Sequence, residues 1–248
     1  MNIYLPVFLL IASPFIGSFL GLLAFRLPEH EDVVHRRSRC RACEAVLKPR
    51  DLVPIVSYFA LRKRCRACGA PISAAYPLIE TGALLVAIVS VSVASGWMLL
   101  ITCLLGWALL TAAATDLRVF ILPNAITLPL IPAGLAVAYF LTGEDIWDHI
   151  IGAIAGGGAL FALDWIYERV RRRRGLGMGD VKLVAAAGAW LGWPYLSWLV
   201  LLAAALALVM LLVMRARGTM VTATTPLPFG APLSAAFFAL WVVRLLTV

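Results

Sequence analysis

The amino-acid sequence predicts an all-α membrane protein that crosses the bilayer several times. Of its 248 residues, 62% are hydrophobic and only 14% are charged, and the mean hydropathy is +0.95. Soluble domains average about 45–50% apolar and about 25% charged residues. This chain therefore lacks the polar surface that a water-soluble globule of its size needs. The composition excludes a soluble enzyme, a disordered chain and a disulfide-stapled secreted domain.

Eight apolar stretches predict about eight transmembrane helices, because a helix needs about 20 mostly apolar residues to cross a hydrocarbon core about 30 Å thick. They cover approximately residues 3–25, 76–95, 97–115, 124–141, 146–170, 181–193, 195–214 and 231–247. The sixth stretch is short. The first has neither a basic start nor a clear A-x-A exit, so it is not predicted to be a cleavable signal peptide.

The positions of the basic residues predict the orientation of these helices. With the amino terminus outside and eight crossings, the carboxyl terminus is also outside, and 20 of the 21 Lys and Arg residues fall on the cytosolic side. The gaps that then face outward, including the acidic 143–148 turn, carry no Lys or Arg. This is the positive-inside pattern. The net charge of +8 is thus explained by membrane topology, and no nucleic-acid partner is expected.

Three segments follow from this pattern. Residues 1–25 form the first transmembrane helix, residues 26–75 form a polar cytosolic loop, and residues 76–248 form a transmembrane core. Gly residues at 152, 156, 157 and 158 predict a small-residue face where the fifth helix packs closely against a neighbour.

Four cysteines in the cytosolic loop predict a metal site. Cys40-x-x-Cys43 is followed after 21 residues by Cys65-x-x-Cys68. Two such pairs can present four thiolates tetrahedrally, which suits Zn²⁺, and the flanking arginines favour thiolate over thiol. Structural disulfides are rare in the cytosol, although the same pairs also suit a redox dithiol. Cys103 lies within the third helix and is expected to be a small buried apolar residue.

Two aspartates are candidate catalytic residues. Asp116 ends the third apolar stretch and Asp180 starts the sixth, so both lie at the inner boundary of the membrane. Ionisable residues are costly there and are functional candidates. Two adjacent carboxyl groups share a proton, so that one can activate a water while the other protonates a carbonyl. The alternative is that each is solvated or paired, for example with Arg118 or Lys182.

Taken in order along the chain, these motifs resemble the type IV prepilin peptidase family. The resemblance covers most of the sequence and includes the four-cysteine loop, Asp116 seven residues before Pro123, and a G-x-G-D-x-K-L motif. Further matching segments are Gly17-Ser-Phe-Leu20, Arg26-Leu-Pro28, Asp51-Leu-Val-Pro54, Pro71-Ile-Ser73, Tyr76-Pro-Leu-Ile-Glu80 and Ala187-Gly-Ala-Trp-Leu-Gly-Trp193. The residues that match the motifs around the second aspartate and near the carboxyl terminus are Gly177, Gly179, Lys182, Pro228, Phe229 and Gly230.

The chain departs from this family at two positions near the first aspartate. Family members commonly carry an acidic residue after the proline and a second aspartate two residues after the first. Here Asn124 and Arg118 stand at those positions.

The resemblance implies a bifunctional enzyme of the bacterial inner membrane. Such an enzyme uses Asp116 and Asp180 to cut a prepilin or pseudopilin after the glycine that ends its short basic leader, at the cytosolic face. It then methylates the new amino terminus with S-adenosylmethionine. The substrate's hydrophobic helix and the lipid bilayer are the other partners. Glu80 is a candidate to hold the substrate amine or a cofactor amine, or else a structural polar contact.

Three alternatives remain at this stage. The chain could be a prepilin peptidase without methyltransferase activity, in which the cysteine loop is only a scaffold. It could be a membrane thiol–disulfide carrier that uses both cysteine pairs, but this gives the G-x-G-D motif no role. It could also be a transporter with broken helices and intramembrane acids, which leaves the cysteines without a role.

Overall fold

A computed structural model describes residues 3–33, 35–172, 177–218 and 227–247. Its helices in order are α1 (Tyr4–Arg26), α2 (Val56–Ala60), α3 (Ala75–Val93), α4 (Gly96–Val119), α5 (Asn124–Val137), α6 (Ile146–Arg171), α7 (Met178–Leu191), α8 (Leu196–Ala216) and α9 (Gly230–Thr247). Single turns occur at Pro49–Asp51 and Trp193–Tyr195, and α5 continues as a π turn over Ala138–Thr142. Of the predicted cytosolic basic run, Arg173 and Arg174 lie outside the described residues, as do the adjoining Gly175 and Leu176.

The prediction of an all-α membrane protein is confirmed. Seven helices among the described residues are long and apolar enough to span a bilayer. They correspond to seven of the eight apolar stretches. The remaining stretch, which is the sixth along the sequence, forms α7. This helix has only 14 residues, which is about 21 Å of helix. No strand is assigned within the described ranges, where the only β pairings are isolated bridges at Arg39–Val46 and Arg64–Pro71.

The chain forms two compact units, Met1–Ala114 and Thr115–Val248. In the first unit, small and branched side chains of α1, α3 and α4 form an apolar core. Trp107 from α4 belongs to this core, and its indole Nε1–H donates to the Ala83 carbonyl of α3 at 3.1 Å. Cys103 is fully buried in the same core, as predicted. Its surroundings are those of an apolar residue rather than of a reactive thiol.

In the second unit, α7 is enclosed by α5, α6 and α9. Ten of its 14 residues are buried, which explains how a helix too short to span alone is accommodated. A Cβ on Gly188 would overlap the Gly152 carbonyl oxygen, so the backbones of α6 and α7 are in direct contact. The predicted small-residue packing face of α6 is therefore confirmed at Gly152, Gly156 and Gly157, whereas Gly158 faces open space.

Candidate active site

Asp116 lies inside α4 rather than at its end, because the helix continues to Val119 before Phe120 adopts a left-handed φ of 56°. The side chain is only 5% exposed. Its Oδ2 atom accepts a hydrogen bond from the backbone N–H of Ala231 at 3.0 Å, and the N–H of Gly230 donates to the same carboxyl group. The first N–H groups of a helix lack partners within the helix, and its N-terminus carries partial positive charge. Asp116 thus completes the start of α9.

Gly230 is required for this approach. A Cβ at position 230 would lie 3.0 Å from Asp116 Cγ and 2.9 Å from the Leu122 methyl carbons. The predicted Pro228-Phe229-Gly230 motif therefore has a geometric role, since it delivers the first turn of α9 to the aspartate. Pro228 is buried and Phe229 is half-buried, and the Phe229 carbonyl accepts from the Leu233 N–H at 3.0 Å as the helix begins.

Asp180 is the third residue of α7 and is also buried. Its N–H donates to the Gly177 carbonyl at 3.0 Å. A Cβ on Gly177 would lie 3.3 Å from Asp180 Oδ2, and one on Gly179 would lie 2.7 Å from Leu122 Cβ. Both glycines of the G-x-G-D motif therefore let the start of α7 pack closely around the aspartate.

Leu122 joins the two halves of the site. It contacts Gly179 on the α7 side and Gly230 on the α9 side, and Gly230 in turn meets Asp116. The two carboxyl groups are close enough for the charge of Asp116 to act on Asp180. The structure thus brings together the two residues that the sequence singled out. Two buried carboxyl groups in this relation can share one proton and act as a base and an acid.

The sequence also allows Lys182 to be an ion-pair partner of Asp180. Its Nζ atom donates to the Asn124 side-chain oxygen at 2.7 Å, which ties the first turn of α7 to the first turn of α5. The Asn124 amide oxygen can accept this bond as a carboxylate would. The departure from the family pattern at position 124 therefore leaves the contact to the lysine in place.

The four cysteine sulfur atoms form one cluster in which all lie within 4.8 Å of one another. Cys40 Sγ and Cys68 Sγ are 3.9 Å apart. Zinc–sulfur bonds of about 2.3 Å in a tetrahedron place sulfurs about 3.8 Å apart. The donor set and its spacing therefore fit Zn²⁺, and the predicted metal-binding cysteines Cys40, Cys43, Cys65 and Cys68 do come together.

The two R-C-R-A-C segments fold alike. Cys40 N–H donates to the Ala45 carbonyl at 3.0 Å, and Cys65 N–H donates to the Ala70 carbonyl at 2.8 Å. Each turn also directs an N–H at the first sulfur, 3.4 Å from Ala42 and 3.4 Å from Ala67. The N–H groups of Cys68 and Ala67 lower the pKa of Cys65 to about 7. Backbone donors therefore favour the thiolate form of Cys65, whereas hydrogen bonding to the neighbouring thiols raises the pKa of Cys68 to about 11.

The flanking arginines make contacts that the sequence did not predict. They are predicted to favour the thiolates, and three of them also pair with carboxylates, namely Arg39, Arg41 and Arg66. Arg66 is 2.8 Å from Asp51, and Arg41 is 3.0 Å from Glu29 and lies over the Phe25 ring. The hydrogen bond from Arg66 lowers the pKa of Asp51. Arg66 therefore braces the cysteine loop internally, whereas Arg41 also connects it to Phe25 near the end of α1.

Glu80 lies in α3 and is only 6% exposed. Its Oε2 atom accepts from the Ile55 N–H at 2.6 Å, and the Ser18 side chain of α1 also bonds to it. Ile55 has a φ of 61°, which is unfavourable for a β-branched residue and often marks functional sites. Sequence reasoning gave no role to Ser18, which lies within the matching segment Gly17-Ser-Phe-Leu20, and missed Ile55, which directly follows Asp51-Leu-Val-Pro54.

The fold and these sites define a multi-pass membrane protein with a pair of buried aspartates and a cluster of four thiols that could hold a metal ion. Residues 11–94 match the model of the bacterial peptidase A24 N-terminal domain, and residues 103–212 match the model of the type IV leader peptidase family. The chain belongs to the type IV leader peptidase family.

Several curated proteins are similar over most of their length. A prepilin leader peptidase/N-methyltransferase of Burkholderia pseudomallei is 42% identical, over 84% of this chain and 68% of that protein. Proteins of the same name from Aeromonas hydrophila and Klebsiella pneumoniae are 36% and 37% identical. The matches cover 90% of this chain and 86% of the Aeromonas protein, and 79% of this chain and 89% of the Klebsiella protein. No solved structure matches the chain significantly.

Proposed function

We propose that this protein is an aspartic endopeptidase of the bacterial inner membrane that removes the leader of type IV prepilins or pseudopilins and then methylates the new amino terminus. The observation that carries the peptidase activity is the buried pair Asp116 and Asp180, brought together by α4, α7 and the start of α9. The names of the relatives support the substrate class and the second activity.

The two aspartates have different surroundings, which assigns their roles. Helix N–H groups donate to Asp116, and such bonds favour the charged carboxylate. Asp116 therefore takes a proton from the attacking water, and Asp180 gives its proton to the carbonyl oxygen of the leader's last glycine. The carbon–nitrogen bond of the tetrahedral intermediate then breaks, and the departing nitrogen receives a proton from the pair. The products are a leader acid and a pilin with a free amine.

The positive-inside pattern supports the side of the membrane on which this reaction occurs. With the amino terminus outside, both aspartates and the cysteine loop face the cytosol, where the basic leader of the substrate is held. The hydrophobic helix of the substrate remains in the bilayer, alongside the seven helices that can span it.

Methyl transfer is assigned to the unit Met1–Ala114. Cys40, Cys43, Cys65 and Cys68 would hold a structural zinc ion, which would keep the loop in shape, because a loop of this size buries little apolar surface on its own. S-adenosylmethionine, when bound, supplies an electrophilic methyl group. Glu80 then holds the pilin amine or a cofactor amine. A carboxylate has about four lone-pair sites, and Ile55 and Ser18 occupy two of them.

The test of the proposed function is the intact mass of a model prepilin after incubation with the purified protein. Loss of the leader reports cleavage, and the added mass of one methylene group on the pilin reports methylation. Cleavage without added mass in the presence of S-adenosylmethionine would identify a peptidase that lacks the second activity. An unchanged prepilin would contradict the proposal.

Elemental analysis of the purified protein should find one tightly bound zinc per chain. The four sulfur atoms are placed for a single tetrahedral ion. Cys103→Ser is the matched control, because this buried thiol lies in the helical core and the variant should keep its zinc. A protein without metal, in which mild oxidant forms reversible disulfides among the four cysteines, would instead support the thiol–disulfide carrier.

Replacing Glu80 with Gln should lower methylation by about tenfold or more while cleavage persists. The amide keeps an oxygen for the Ile55 N–H but loses the charge that binds an amine, and a hydrogen bond to a charged group contributes about 1.5–3 kcal/mol. The mass assay reports both activities. Ser18→Ala is the control, since it removes a neighbour of the carboxylate but leaves its charge. Full methylation by the Gln variant would show that Glu80 is a structural contact.

A further inference from the structure

A second cluster of charged side chains lies in the unit Thr115–Val248, away from the aspartates. His149 of α6 and Arg244 of α9 are buried, and both contact Glu144 in the turn before α6. His149 Nε2 is 2.9 Å from Glu144 Oε2, and the Arg244 guanidinium pairs with the same carboxylate. These side chains line a cavity of about 280 Å³.

The cluster ties three helices together at backbone positions of α7. Arg244 Nη1 donates to the Trp190 carbonyl at 2.6 Å, and His149 Nδ1 lies 2.9 Å from the Ala189 carbonyl. A carbonyl oxygen only accepts, so Nδ1 carries the proton and donates. His149 Nε2 lies 3.2 Å from Arg244 Nη2, and both side chains converge on the Glu144 carboxylate. Arg244 therefore contacts α6, α7 and the 144 turn at once.

Arg244 joins α7 and α9, and the N-termini of these two helices lie at the two aspartates. Asp180 and Trp190 are about 15 Å apart along α7, and Ala231 and Arg244 are about 20 Å apart along α9, at 1.5 Å per residue. The helices therefore run in the same direction. Both begin at the aspartates, and both end at the charged cluster.

We propose that Glu144, His149 and Arg244 are positioning residues for peptide cleavage. They fix α7 and α9 against each other at one end, so that Asp180 and the Ala231 N–H meet Asp116 at the other end. The inference rests on the proposed catalytic role of the aspartates. Two general physical points support the positioning role. A buried charge that loses its partner is strongly destabilising, which holds the contact in one arrangement. A misplacement of about 1 Å at a reacting pair costs about 10²-fold in rate.

The test compares Arg244→Gln, Glu144→Gln and their double variant, with cleavage of a model prepilin followed at saturating and limiting substrate. Each single change should lower kcat about tenfold, because α7 and α9 lose a shared anchor while the surface that docks the substrate is unaltered. KM should stay unchanged. The double variant should be no slower than the slower single variant, since both changes break one contact. Arg244→Lys keeps the charge and a donor for the Trp190 carbonyl, so it should recover most of the rate.

Asp145→Asn is the matched control. Asp145 lines the same cavity, but its carboxylate caps α6 by accepting from the Trp147 N–H at 3.0 Å. Its loss removes the same charge without touching α7 or α9, so kcat should hold. Arg244→Gln with wild-type kcat, a rise in KM alone, or an equal loss in Asp145→Asn would each overturn the inference. Should Arg244→Gln fail to fold, the half-buried Glu144→Gln and Arg244→Lys decide the question by the same kcat and KM criteria.

Failure of this inference can be told apart from failure of the proposed function. Asp180→Asn is measured in the same series. An inactive Asp180→Asn beside a fully active Arg244→Gln contradicts only the positioning role. An active Asp180→Asn contradicts the paired-acid mechanism itself.

Discussion

Asp116→Asn and Asp180→Asn should each abolish cleavage of a model prepilin, while the variant proteins remain folded in the membrane. Asparagine keeps the shape of the carboxyl group but cannot take up or release the proton. General acid–base catalysis contributes about 10²–10⁴-fold per group. In a pair that shares one proton, loss of either member removes both roles, so the rate should fall by at least the upper end of this range. Intact-mass analysis of the prepilin measures the loss.

Asp164→Asn provides the control for this comparison. Asp164 is a carboxylate of α6 that is also 5% exposed, so the control tests whether any buried aspartate of this unit is required. It should retain most of the wild-type rate. Near-normal cleavage by either of the Asp116 or Asp180 variants would refute the paired-acid mechanism, because no second carboxyl group would then be needed.

The sequence was sufficient to predict the helices because their signal is local. Apolar stretches of about 20 residues and the distribution of basic residues located seven helices and the shorter α7. The prediction that Asp116 ends its helix was less accurate. The apolar run stops near residue 115, but backbone hydrogen bonding continues α4 for another turn, and the helix ends only where Phe120 turns to positive φ. Hydrophobicity alone does not report that ending.

The contacts that complete the sites were not predictable in this way. The bond between Asp116 and Ala231 joins residues 115 positions apart, and the bond between Glu80 and Ile55 joins residues 25 apart. Such contacts depend on how helices and loops pack, which periodicity does not encode. The Arg244 cluster did have a signal. An ionisable residue within an apolar helix requires a partner, and the acidic turn at 143–148 was the available one.

Replacing Cys40 or Cys68 with Ser should reduce methylation more than cleavage. Binding of a structural zinc ion is largely the folding free energy of a small metal-binding loop, so the loop should unfold when one thiolate ligand is lost. The helices need not unfold with it, because their backbone hydrogen bonds are satisfied within each helix. The cysteines belong to the unit Met1–Ala114 and the aspartates to the unit Thr115–Val248. Loss of the loop should therefore leave the catalytic pair intact.

Cleavage and methyl transfer are proposed to require different parts of the protein. In the proposed mechanism, cleavage requires Asp116, Asp180, a water and a docked substrate helix. Methyl transfer requires a cofactor pocket, and the loop that follows α1 is a sizeable non-membrane segment that can form part of one. That loop also supplies the Ile55 N–H to Glu80, so unfolding it would disturb the carboxylate proposed to hold the amine. Prepilin processed by Cys40→Ser or Cys68→Ser should accordingly lose its leader but gain little methyl mass, whereas Cys103→Ser should process it fully. Equal loss of both activities in a variant that is still inserted in the membrane would mean that the loop also contacts the leader and serves both reactions.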